Sequence, residues 1–124
     1  MVDIEITPDC GNAPKQAQVR DLIVAAATGQ RDAFEAAVEP GFVARHAGGT
    51  SVEGAKAVDS VIGMLGPDGL TGLRLDLVFS HGTFVAATGV LIRGDKAEEF
   101  CHLVTYGGHG KTARVASITM FGAP

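Results

Sequence analysis

LRLDLVFSHGTFVAATGVLIRGDKAEEFCHLVTY, residues 73–106, carries the pattern that decides the fold. Its apolar residues recur with the two-residue period of extended chain, not the 3.6-residue period of a helix. His81-Gly82 and Gly94-Asp95 break the run at points suited to tight antiparallel hairpins. With Gly107-Gly108-His109-Gly110 as a further break, four strands are predicted: Leu73 to Ser80, Thr83 to Arg93, Lys96 to Tyr106 and Thr112 to Phe121. Gly89 interrupts the second of these, and a bulge that bends the sheet is expected there. That strand carries Phe84, Ala86, Val90 and Ile92 on one side and Val85, Ala87 and Leu91 on the other, so both faces read as buried. Helices cover only one face, and the other is expected to meet a second copy in a homodimer.

Upstream, the periodicity is helical. Asn12 is a good N-cap, Pro14 suits a first turn, and Val19, Leu22, Ile23, Ala26 and Ala27 recur on one face before Gly29 ends the helix. Asp32 and Glu35 read as a capping box opening a short second helix that buries Phe34, Ala37 and Val38, with Pro40 and Gly41 as its stop. Phe42 to Ala47 and Thr50 to Glu53 read as short strands joined through Gly48-Gly49. Val58, Val61, Ile62 and Leu65 stripe a third helix that ends in Gly66-Pro67-Asp68-Gly69. Helices followed by long antiparallel strands define an α+β class with the helices on one face of the sheet.

The length, 124 residues, fits one domain spanning residues 1–124, with residues 1–12 as an N-terminal extension. Ten basic against fourteen acidic residues give a net charge of −4 without a basic cluster, which argues against nucleic acid as a partner. Leu77 to Ile92, the longest stretch without a formal charge, is too short and too broken by Ser80, His81, Gly82 and Thr83 to span a membrane. The start lacks the basic and apolar segments of a signal peptide, so a cytoplasmic location is expected. Cys10 and Cys101 lie far apart and outside any CxxC spacing, and the four histidines show no HxxxH or HxH spacing. No metal site and no cofactor are expected.

The order helix, helix, strand hairpin, helix, four strands resembles the nuclear transport factor 2-like superfamily, which includes the SnoaL-like polyketide cyclases and the ketosteroid isomerases. The resemblance runs from about Pro14 to Phe121. It rests on Ala25-Ala26-Ala27-Thr28-Gly29-Gln30-Arg31-Asp32-Ala33-Phe34, on Phe42-Val43-Ala44-Arg45-His46 followed by Val52-Glu53-Gly54-Ala55-Lys56-Ala57, and on Gly110-Lys111 leading into the last strand. Pro8-Asp9-Cys10-Gly11-Asn12, Ser80-His81-Gly82 and Phe100-Cys101 are similar to a bacterial branch of it. The resemblance implies a cystatin-like cone, helices packed on a curved sheet, with an interior that members use as active site, binding pocket or plain core.

The same resemblance selects candidate residues. His46 falls near the general base of the isomerases, and His102, nine positions before Lys111, falls where they carry a protonated Asp in the oxyanion hole. These two are the candidate catalytic residues, His46 as base and His102 as hydrogen-bond donor. Alternation puts Phe42, Ala44 and His46 on one side, and Phe100, His102, Val104 and Tyr106 on one side. With Leu22 from the first helix, residues Phe42, His46, Phe100, His102, Val104 and Tyr106 are the expected lining of a pocket for a small apolar organic ligand.

Departures count as well. Leu22 stands where the isomerases' Tyr donor falls, neither of their carboxylates is kept, and Ser117-Ile118-Thr119-Met120-Phe121 lacks the acidic residue of the SnoaL-like cyclases. Steroid isomerisation and standard cyclisation are therefore disfavoured. Three functions stay open: a small-molecule-binding domain, an acid/base enzyme of isomerase, cyclase or hydrolase type acting next to a carbonyl, and a non-catalytic dimerisation module. A single buried His is also an ordinary core residue when hydrogen-bonded. His81 and His109 read as solvated turn residues, Cys101 as a packing residue, and Glu53, Asp76, Glu98 and Glu99 as solvated strand charges.

Overall fold

A computed structural model describes residues 2–8, 10–11, 13–66 and 68–122. The chain runs β1 (Asp3–Ile6), α1 (Pro14–Ala27), α2 (Arg31–Ala37), β2 (Val38–His46), β3 (Ser51–Glu53), α3 (Ala55–Leu65), β4 (Gly72–His81), β5 (Phe84–Arg93), β6 (Lys96–Tyr106) and β7 (Val115–Gly122). All strands join one sheet in the order β1-β4-β5-β6-β7-β2-β3. The α+β class with three helices is as the periodicity predicts, and the curved sheet is as the resemblance implies. The sheet is mixed, however, because β1 pairs parallel with β4 and β2 parallel with β7.

The long strands follow from alternation. In β6 the residues Phe100, His102, Val104 and Tyr106 are buried while their neighbours are more exposed, so one face is sealed and the other open. The helices cover the sealed face. α1 lies against β4 and β5, and α3 against β2 and β3, so the helical layer rests mainly on the flanks and bridges β6 and β7. α1 buries Val19, Leu22, Ile23, Ala26 and Ala27, the predicted stripe, and α3 buries Val58, Val61 and Leu65. Arg93 straps the end of α3 to β5 by donating to the Met64 and Gly66 carbonyls at 2.7 and 3.4 Å. It meets carbonyls that a helix end leaves without partners.

Four local expectations are corrected. Residues 3–6 are a strand, because their backbone continues the ladder beyond β4, although all four side chains are exposed and give no burial pattern to read. Asp32 is not a cap: α2 begins at Arg31 after Gln30 with no side-chain cap, and Arg31 instead pairs with Glu35 and, across to α3, with Asp59. Pro40 and Gly41 do not end a helix. They lie in β2, in the irregular stretch between Val38 and Val43 where the register against β7 shifts and a missing N–H is tolerated. The last strand starts at Val115 rather than Thr112. The predicted cap Asn12 lies outside the described residues, and α1 is preceded by Ala13, whose N–H is accepted by Gln16 Oε1 at 3.4 Å.

The predicted bulge at Gly89 sits one strand over. Register slips between Leu75 and Leu77, so the extra residue is Asp76 of β4, facing Gly89 and Thr88. A side chain at Gly89 has nowhere to go: its Cβ would fall 2.1 Å from the Arg74 carbonyl oxygen and 2.9 Å from the Phe100 ring. Gly89→Ala should therefore destabilise by about 1–3 kcal/mol, in the range of overpacked sites. Gly41→Ala, with nothing within 4 Å of the added carbon, is the control and should stay within about 0.5 kcal/mol. Urea midpoints of the two variants compare them directly.

Candidate functional site

Residues paired across a ladder point to the same face, so the registers assemble rows that the sequence does not display. One row on the sealed face reads Val78, Ala87, His102, Met120, His46, from β4 through β5, β6 and β7 to β2. The two candidate histidines thus share a face, with Met120 between them. Their Cα atoms are two strand spacings apart, roughly 10 Å.

His102 is 1% exposed, and neither ring nitrogen has a hydrogen-bond partner. Its ring stacks on Phe100 with centroids 4.6 Å apart and planes 23° apart, which fixes its orientation. Burial lowers its pKa from 6.5 to about 4; a backbone group of Cys101 offsets this in part without reaching hydrogen-bond geometry, and His46 lowers it further. At neutral pH the ring is uncharged and offers one N–H donor and one nitrogen acceptor. His46 ends β2, half-buried, at the flank of the row.

The other expected lining residues are in the core. Leu22, Phe42, Phe100, Val104 and Tyr106 are all buried in one cluster with Met120 and Ile118. Phe42 meets Phe34 edge-on at 5.7 Å, filling the space between β2 and α2. Tyr106 is at the other end of β6, where its hydroxyl donates to Gln18 Oε1 at 2.8 Å and burial pushes its pKa up to about 12. It is not joined to the His102 row.

The clefts that open to solvent lie elsewhere. One of about 560 Å³ runs between the start of α1 and the turn after β6, lined by Lys15, Gln18, Ser80, His109 and Lys111 among others. Another of about 360 Å³ is on the outer sheet face, lined by Asp76, Thr88, Glu99, Cys101 and Phe121 among others. His46 and His102 line neither. Asp76 there is held below the usual carboxylate range by its hydrogen bond from Arg74, with Arg74 Nε donating at 2.7 Å. His81 and His109 are exposed as expected, although His81 is the last residue of β4 rather than part of the turn. Cys101 shares no face with His102, so the two form no nucleophile and base pair.

Met120 is the neighbour that sequence reading missed. Alternation along Ser117 to Phe121 places Ile118 and Met120 on one face, but only the parallel β2 and β7 pairing, remote in sequence, sets Met120 beside His46. Among the described residues no group of three or more His, Cys, Asp or Glu converges on a possible metal position.

Solved structures give this arrangement its relatives. The fold is similar to an NTF-2-like protein of unknown function from Burkholderia xenovorans LB400, with a TM-score of 0.72 at 11% identity over 89% of this chain and 83% of that one. The chain has the nuclear transport factor 2-like fold. A protein provisionally assigned as a SnoaL-like polyketide cyclase from Shewanella denitrificans OS-217 matches with a TM-score of 0.68, 12% identity and coverages of 88% and 90%. A de novo designed protein with a curved β-sheet matches at 0.75, 12% identity and coverages of 90% and 86%. Chains of such different description share the frame, so the fold alone assigns no activity. No family model and no curated protein matches the sequence.

Burying a neutral imidazole has a consequence for acid stability. The folded pKa lies below the unfolded value of about 6.5, so the unfolded chain binds the proton first. The stabilisation is complete above pH 6.5 and is lost as pH falls toward 4. The loss should approach roughly 3 kcal/mol at pH 4. Denaturant titrations at pH 7.5 and pH 4 should show it, and His102→Phe should flatten the difference.

Proposed function

We propose that the protein is a small-molecule-binding domain whose ligand reaches His102 inside the cone. The observation that supports this most directly is a fully buried imidazole with both ring nitrogens unpartnered, in an interior otherwise built of apolar side chains. Such a group costs about 1–3 kcal/mol when left unsatisfied. A ligand that accepts from its N–H, or donates to its free nitrogen, offsets that cost. His102 is sealed by the core, so a ligand reaches it by displacing side chains such as Met120 and Leu22. The ligand class is a small, mainly apolar organic molecule with one hydrogen-bonding group. A reducing, cytoplasmic setting fits two cysteines that lie outside any CxxC spacing.

A thermal-shift screen of apolar carbonyl, lactone and steroid compounds tests the reading. At least one compound should raise the Tm of the wild type, and His102→Phe should abolish the shift while keeping or raising the basal Tm. A screen in which no compound stabilises the protein, or in which His102→Phe keeps the shift, overturns it. Acid/base catalysis next to a carbonyl is the second reading, favoured by His46 and His102 sharing one row. In it His46 takes the proton and His102, neutral, donates to the oxygen.

The open face of the sheet supports a homodimer. Leu77, Phe79, Phe84 and Phe121 are 60%, 58%, 51% and 43% exposed there. The registers set Leu77, Thr88, Cys101 and Phe121 in one row and Phe79, Ala86, Leu103 and Thr119 in the next, a continuous apolar surface on four strands. Sedimentation at micromolar concentration should give a dimer, and Phe79→Arg with Phe121→Arg should give a folded monomer. A monomeric wild type removes this reading.

A further inference from the structure

The row His46, Met120, His102 carries a second possibility, independent of any organic ligand. These three side chains are direct ladder neighbours on β2, β7 and β6, all on the sealed face. On a concave face, side chains of one row converge, and this sheet is bent beside the row by the bulge at Asp76 opposite Gly89. The donors are two imidazoles and one thioether, all uncharged when His46 is deprotonated. Val78 and Ala87 complete the row, so no carboxylate stands on it to attract a hard divalent ion. A thioether between imidazoles is a soft set, of the kind that selects copper(I). His102 adds an observation of its own: its ring nitrogens are buried and without partners, while the Phe100 stack holds the ring in place. His46, half-buried at the flank, gives the ion a route from solvent.

We propose that His46, Met120 and His102 form a three-donor site for a soft monovalent cation, copper(I) being the biologically available one. The ion would enter at His46, be held by the Met120 sulfur and occupy a lone pair of His102. No electron transfer is required, since the ion arrives and stays as copper(I).

The test uses the full chain carrying Cys10→Ser and Cys101→Ser, because thiolates also take soft ions. Copper(I) is titrated without oxygen against a chromogenic copper(I) chelator. In parallel, silver(I), a redox-inert stand-in, is titrated while the methionine methyl resonances are followed. One ion should bind per chain, and the one of three methionine methyl signals that shifts should be the signal missing from Met120→Leu. Met120→Leu, a volume-conserving change that the core should tolerate, and His102→Phe should each weaken binding at least roughly tenfold, the lower bound for loss of even an outer-shell partner. A Met120 methyl that does not move at stoichiometric silver(I), or a Met120→Leu variant that holds copper(I) as tightly as its parent, overturns the site. The organic-ligand reading stands or falls in its own metal-free thermal-shift screen of the wild type, so the two outcomes are separable.

Discussion

The bend of the sheet is the constraint on which the rest of the molecule depends. At one point in β4 the chain holds one residue more than β5, and the opposing residue is a glycine whose missing side chain lets the Arg74 carbonyl and the Phe100 ring close in. Asp76, the extra residue, pairs with Arg74. The bulge makes one face concave, and a concave face can be roofed by helices that rest mainly on its flanks. Helices can then meet each other above β6 and β7, as α1 and α3 do, and still leave room beneath for the large side chains of those strands.

What fills that room decides the chemistry. Phe100, Val104, Tyr106, Ile118 and Met120 supply the apolar contacts expected of a stable core. His102 is the exception, because it occupies a core position with the volume of a core residue and none of the hydrogen bonds that buried polar groups normally keep. Its lowered pKa is a direct result of that isolation. A sequence selected for stability alone would have an aliphatic or aromatic residue there, so the imidazole is where local consistency is broken.

Much of this was legible in the amino-acid sequence, and the parts that were not share one cause. β6 is read to the residue because its alternation is strong and both its ends are marked by turns. The stripes of α1 and α3 are read equally well. The pairing of β2 with β7 is not legible, since the contact joins residues some 75 positions apart, as His46 with Met120, and local patterns carry no information about such closures. The row that unites His46, Met120 and His102 was therefore hidden even though each side chain's face could be worked out. β1 escaped for a different reason: a strand exposed on both sides has no periodic burial to betray it. The alternation that correctly placed Phe42, Val104 and Tyr106 on the inner face could not tell whether that face encloses a void or a core.

The two ends of the sheet are both brief. β3 has three residues and β1 four, and β1 alternates Asp3 and Glu5 with Ile4 and Ile6. An incoming chain therefore finds little backbone to zip onto at either margin, and at one of them it meets negative charge. Open-ended strand stacking, which would propagate into fibres, is disfavoured at both margins. The truncated margins thus guard against fibre growth in a protein that presents four large apolar side chains to water on one sheet face alone.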